Sequence, residues 1–164
     1  MSVNTLPILP KNGRSELPFE LGISEKLKYR TSTERQSMSI KLENSTASIN
    51  INAKDGSLYL TNKRLVFITA NEGDIDVFAL ELATAPALQL SHSVRSPWFG
   101  ANYWEFLIFT NRETCDGFPD KCWLRGIIKF NDGGLFDFVQ VFNEALNDVM
   151  NNADIDEELP LYSA

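Results

Sequence analysis

Acid–base, nucleophilic and metal chemistry each need a constellation of side chains, and this chain holds few candidates for any of them. His92 is its single histidine, and Cys115 and Cys122 are its only thiols. No histidine, carboxylate and nucleophile set is supported around His92, and neither a Gly-x-Ser-x-Gly elbow nor a phosphate-cradling Gly-x-x-x-x-Gly-Lys run occurs. Asp74 with Asp76, and Asp154 with Asp156, are the carboxylate pairs that could share a proton, but both lie in acidic, loop-like stretches where solvated charge is the default. A structural zinc site takes about four ligands, which two cysteines and one histidine do not supply without carboxylates. Two reduced thiols, in a stretch that also carries Gly117 and Pro119, are the simpler reading. The expectation is a protein without catalytic residues, metal or cofactor.

Binding chemistry is better represented. Lys26, Lys28, Arg30 and Arg35 form the main basic concentration, with Lys41 near it, in a chain whose 15 Lys and Arg are outnumbered by 22 Asp and Glu for a formal charge of −7. That balance does not supply the broad basic face that sequence-independent nucleic-acid binding needs, so direct nucleic-acid binding is disfavoured. A local basic group can still be drawn to an anionic membrane surface, at about 1 kcal/mol per residue, although a solvated face is the ordinary outcome. Lys63 and Arg64 form a second pair, in which Arg64 has a structural pairing role open to it. Trp98, Phe99, Tyr103 and Trp104 gather aromatic area of the kind that anchors interfaces. With Gly100 and Asn102 inside that run, we read it instead as a tight turn whose Phe99 and Tyr103 anchor in the core.

The elements that must position these residues follow from periodicity. A length of 164 residues, 43% hydrophobic with 11% aromatic, suits one folded domain with short tails and rules out wholesale disorder. Residues 1–34 mix Pro7, Pro10, Pro18, Gly13 and Gly22 without a sustained period and read as an irregular arm, with no compact apolar core of a signal peptide. No run is long enough to span a membrane, so the reading is soluble and unsecreted, and Asn44-Ser45-Thr46 is a polar turn rather than a glycosylated one. Period-two alternation marks strands at Met38, Ile40 and Leu42, at Ile49 and Ile51, at Phe78, Leu80 and Leu82, at Leu88 and Leu90, at Trp104, Phe106 and Ile108, and at Leu124, Ile128 and Phe130. Gly56-Ser57-Leu58-Tyr59-Leu60-Thr61 and Arg64-Leu65-Val66-Phe67-Ile68-Thr69 flank Asn62-Lys63, which predicts a hairpin closed by an asparagine at positive φ. Leu58, Leu60, Leu65 and Phe67 then share one face. After Gly133-Gly134 the period becomes helical, with Leu135, Phe138, Val139, Phe142, Ala145, Leu146 and Val149 in one stripe. Many short strands and one amphipathic helix predict a mainly β (α+β) sandwich or open barrel stopped by the helix. Residues 151–164, with Asp154, Asp156, Glu157 and Glu158, read as a solvated, disordered acidic tail.

Two stretches carry a family resemblance. Lys54-Asp55-Gly56-Ser57-Leu58-Tyr59-Leu60-Thr61-Asn62-Lys63-Arg64-Leu65-Val66-Phe67-Ile68 resembles the Gly-x-φ-Tyr-φ-Thr-x-x-Arg-φ-φ-Phe hairpin of GRAM domains, a branch of the pleckstrin-homology (PH) superfold. Pro97-Trp98-Phe99-Gly100-Ala101-Asn102-Tyr103 is similar to the Phe-Gly-Ala-Asn-Tyr signature of the WW-domain-binding-protein-2-like family. The resemblance implies a PH-like, seven-stranded antiparallel sandwich closed by a C-terminal helix, with the GRAM domain over 35–150. It also implies a candidate phosphoinositide site at Lys26, Lys28 and Arg30. In place of that family's long tail of Pro-Pro-x-Tyr motifs, this chain has one Leu159-Pro160-Leu161-Tyr162. That is a variant accepted by WW domains of HECT-type ubiquitin ligases, with Leu159 and Pro160 on the aromatic ridge and Tyr162 in the neighbouring pocket. The sequence thus predicts a cytoplasmic, non-enzymatic adaptor whose tail binds a WW-domain protein, with the nucleus as a second location and the oligomeric state open. A phosphoinositide-binding peripheral membrane module, or a transcription coactivator as in the resembling family, is the alternative.

Overall fold

The computed structural model describes residues 1–9, 17–42 and 49–162, with side chains through 152; Asn44-Ser45-Thr46 lies outside them. Ten strands are present among the described residues: β1 (Ser2–Val3), β2 (Leu27–Arg30), β3 (Ser37–Leu42), β4 (Asn50–Ala53), β5 (Gly56–Thr61), β6 (Arg64–Thr69), β7 (Val77–Glu81), β8 (Ser91–Arg95), β9 (Tyr103–Phe109) and β10 (Trp123–Lys129). They pair antiparallel into two sheets, in the orders β1-β7-β6-β5-β2 and β4-β3-β10-β9-β8. The helix α1 (Leu135–Tyr162) closes the sandwich.

The period-two residues do what their spacing requires. Leu58, Leu60, Leu65 and Phe67 are fully buried between the sheets beside Ile40, Trp104, Phe106 and Ile108. Gly126 lies directly under the Phe106 ring, where a Cβ would come within 2.0 Å of it. The α1 stripe enters the same core: Phe138 and Phe142 are fully buried and meet Trp104 at ring-centroid distances of 5.2 and 5.0 Å.

Four expectations are corrected. The arm is not wholly irregular, because β1 pairs with β7 and β2 with β5. Leu6, Leu17, Phe19 and Leu21, scattered in sequence, all reach the outer face of the first sheet over Tyr59, Val66, Val77 and Ala79. The hairpin forms as predicted, with Leu60 opposite Leu65, but Asn62 has no positive φ. Instead Thr61 Oγ1 accepts from the Lys63 and Arg64 amides, both at 3.0 Å, while Asn62 takes the Lys26 amide on Oδ1 and donates to the Ser24 carbonyl. Leu88 and Leu90 belong to no strand, since Pro86 and a positive φ of 51° at Gln89 break extension there. Last, α1 runs to Tyr162 where a disordered tail was expected. Residues 150–159 contain neither glycine nor proline, so a helix nucleated by its packed first turns propagates through them.

Candidate functional site

Three connections meet at one end of the second sheet: 31–36 between β2 and β3, 96–102 between β8 and β9, and 130–134 between β10 and α1. The register aligns their bases, with Arg95 opposite Tyr103 and Tyr103 opposite Lys129, which in turn faces Ser37. The loops are tied to one another. The Phe130 amide donates to the Asn102 carbonyl at 3.0 Å, and Asn131 Nδ2 to the Arg35 carbonyl at 2.7 Å. Asp132 accepts from the Thr33 hydroxyl and pairs with Arg35 at 3.5 Å. Tyr29 places its hydroxyl on the Gly134 carbonyl at 3.1 Å.

From this braced platform the 96–102 loop projects. Trp98 is 97% and Phe99 92% exposed, and Gly100 follows at a φ of +96° with open space around its α-carbon. The expectation that Phe99 anchors in the core is therefore corrected: the left-handed glycine turns the loop outward before Tyr103, half-buried, and Trp104, fully buried, re-enter the sheet. Of the four clustered aromatics, Trp98 and Phe99 present surface and Trp104 is core. Phe136, 64% exposed in the first turn of α1, extends the apolar area at the same end. Arg35, Arg95 and Lys129 surround its base; Arg95 is paired with Glu105 at 3.0 Å. Sequence reasoning found the aromatic run but not its direction.

Lys26, just before β2, and Lys28 and Arg30 on it lie elsewhere, exposed at the edge of the first sheet. Arg30 stacks over the Tyr59 ring at 5.3 Å. Cations on an edge strand guard it against pairing with another chain. Arg64 is structural: its Nε meets Glu25 Oε2 at 2.8 Å, Nη2 meets Oε1 at 3.1 Å, and its guanidinium lies over Phe19. Burial alone would raise the Glu25 carboxyl, but the Gly22 amide, the Thr61 hydroxyl and Arg64 together outweigh it and hold the group below the ordinary glutamate range.

Of the candidate acid–base groups Asp74 and His92 are engaged, and the side chains of Asp154 and Asp156 lie outside the described residues. Asp74 Oδ2 accepts the Asn52 amide at 2.8 Å, splicing the β6–β7 loop to β4. His92 is half-buried against Trp104 and Phe142, and burial lowers its pKa. Cys115 and Cys122 are free, half-buried thiols, and among the described residues no group of His, Cys, Asp and Glu could hold a metal ion. The Leu159-Pro160-Leu161-Tyr162 backbone forms the last turn of α1 rather than the extended polyproline form that a WW groove accepts.

Two antiparallel sheets crossed by a C-terminal helix define a PH-like fold. The N-terminal PH domain of Vps36 superposes with a TM-score of 0.53 over 88% of this chain and 93% of that one, at 16% identity. The UPF0664 stress-induced protein of Schizosaccharomyces pombe is 34% identical over 92 residues, covering 56% of this chain and 48% of that protein. The chain thus spans about half the length of the curated relative it matches. No family model matches it, and the GRAM and WW-domain-binding-protein-2-like affinities stand as resemblances.

Proposed function

We propose that this protein is a non-enzymatic docking module that settles on anionic phospholipid surfaces through the Trp98-Phe99 loop. The observation that carries the reading is the exposure of two adjacent aromatic side chains on a braced, glycine-turned loop. Soluble proteins seldom leave such area bare without a binding role, and tryptophan favours the membrane–water interface. Arg35, Arg95 and Lys129 at the loop's base would face the headgroups as the rings enter, adding about 1 kcal/mol each before screening and the cost of their own ion pairs. A PH-like fold is in keeping with an interaction or lipid-binding module, and no described helix is long and apolar enough to cross a membrane. Attachment by this loop is peripheral. The site differs from the basic strand expected from sequence, whose lysines line a sheet edge.

Flotation of the full chain with vesicles of phosphatidylcholine alone, or containing phosphatidylserine or a phosphoinositide, tests the reading. Recovery with the anionic vesicles, lost in Trp98→Ala/Phe99→Ala but kept in Lys26→Ala/Lys28→Ala/Arg30→Ala, is the expected result. No lipid-dependent flotation, or loss only in the triple variant, contradicts it.

A further inference from the structure

We propose that the outer face of the second sheet is a docking surface for an extended acidic protein segment with apolar side chains at alternate positions. This inference does not rest on membrane docking: the two surfaces share Arg95 and Lys129 at their border, but their apolar residues differ. Trp104, Phe106 and Ile108 of β9 and Leu124 and Ile128 of β10 point inward, so alternation puts Leu107, Phe109, Trp123 and Ile127 on the outside. All four are half-buried, and Phe109 and Trp123 meet at 5.0 Å between ring centroids. Cations frame this apolar band: Lys41 on β3, Arg125 and Lys129 on β10, and Arg95 on β8. Glu105 is the one carboxylate facing out from β3, β8, β9 and β10, and it pairs with Arg95 and Arg125. Four cations to one acid is the reverse of the whole chain, where 15 face 22.

The first sheet shows what such a face accepts. Its outer apolar residues are sealed by the chain's own arm, and Arg30 and Arg64 lie over Tyr59 and Phe19. The second sheet repeats the combination of apolar band and cations, and among the described residues no strand or helix lies over it. Two clefts open on it. One, of about 260 Å³, is lined by Arg95, Glu105, Leu107 and Arg125, and the other, of about 440 Å³, by Ser39, Lys41, Ile127 and Lys129.

Charge complementarity selects an acidic occupant, and an extended backbone presents every second side chain to a sheet at the spacing of the apolar residues. A nucleic acid fits less well, because phosphate neutralisation needs a continuous track of cations and here Leu107, Phe109, Trp123 and Ile127 stand between them. A bilayer fits less well too, since this apolar band lies level with the sheet while Trp98 and Phe99 project.

The probe is a fluorescein-labelled peptide of roughly twelve residues, alternating Glu with Leu or Tyr, titrated with the full chain and followed by anisotropy. A second peptide with Lys for Glu, single-stranded oligothymidylate, and anionic vesicles are the comparison arms. Ser39→Glu places a carboxylate beside Ile127 by register, and Lys41→Ala removes a flanking cation without adding charge. The acidic peptide should bind saturably and the lysine peptide should not. Ser39→Glu should weaken binding about tenfold, Lys41→Ala several-fold, and Trp98→Ala not at all, with thermal melts confirming that each variant is folded. No binding of the acidic peptide, equal binding of both peptides, indifference to both Ser39→Glu and Lys41→Ala, or displacement of the peptide by oligothymidylate would overturn the proposal. Loss of peptide binding on adding vesicles, abolished by Trp98→Ala, would mean the face is masked by lipid and would overturn it as an independent site.

Discussion

Trp104 donates its indole N–H to His92 Nδ1 across 3.1 Å, and the His92 ring meets the Phe142 ring edge-on at 4.9 Å. One neutral imidazole therefore joins β8, β9 and α1 at the point where the helix seals the core. An acceptor nitrogen must be unprotonated, and burial does depress the His92 pKa, against a smaller opposing effect of the ring's hydrogen bond to Asn143.

Linkage gives the sign of the pH effect. The folded state binds a proton on His92 less readily than the unfolded state does, so this contribution to stability is complete above the ordinary histidine value of about 6.5. It is lost as pH falls through that value toward the depressed folded one. The melting temperature should fall between pH 7 and pH 5, and His92→Gln, which keeps a polar ring-sized group without titrating, should flatten that slope. An identical slope in the variant would contradict the role given to His92.

Phe142 is fully buried and touches Phe138, Trp104 and His92. Phe142→Ala should cost about 3–5 kcal/mol in urea unfolding, the usual range for emptying a large aromatic site. A cost below about 1 kcal/mol would place the helix face elsewhere.

Glu25 and Arg64 fasten the arm to the β5–β6 hairpin, and the Glu25 side chain is 3% exposed. Arg64→Ala strands that carboxylate and should cost about 3 kcal/mol, the lower end of the range for breaking a buried pair, because Arg64 keeps some contact with water. Since the folded pKa of Glu25 is lowered, its contribution is present above the unfolded value and lost as pH falls through the folded one. Arg64→Ala should accordingly reduce the acid sensitivity of stability below about pH 5. Urea unfolding at pH 7 and pH 4 checks both statements.

Strand and helix identity were legible where a buried face repeats over several apolar residues, because burial writes a period into the chain; β2 and β8, with two half-buried residues each, were missed. Leu58 to Phe67 and the stripe from Leu135 to Val149 show it plainly. The arm was not legible: Leu6, Phe19 and Leu21 pack by long-range contacts and carry no period. Phe99 was misdirected because turn composition reports that the chain reverses, not which way its side chains face, and Gly100 at positive φ decides that. Lys26, Lys28 and Arg30 form a cluster in sequence that the fold spreads along a sheet edge. The aromatic end of the molecule is assembled from three connections far apart in sequence, through Arg35, Asn102 and Asp132, and no local pattern announces such a meeting.

The membrane reading is tested most directly by the depth of Trp98. Tryptophan fluorescence of the full chain on anionic vesicles carrying brominated acyl chains, compared with Trp98→Phe, isolates that side chain from Trp104 and Trp123. The account predicts strong quenching and a blue shift in the native chain, both nearly absent in Trp98→Phe, whose binding to the vesicles persists through Phe99 and the replacement phenylalanine. Bound protein whose emission is unquenched, or quenching that persists undiminished in Trp98→Phe, would contradict it.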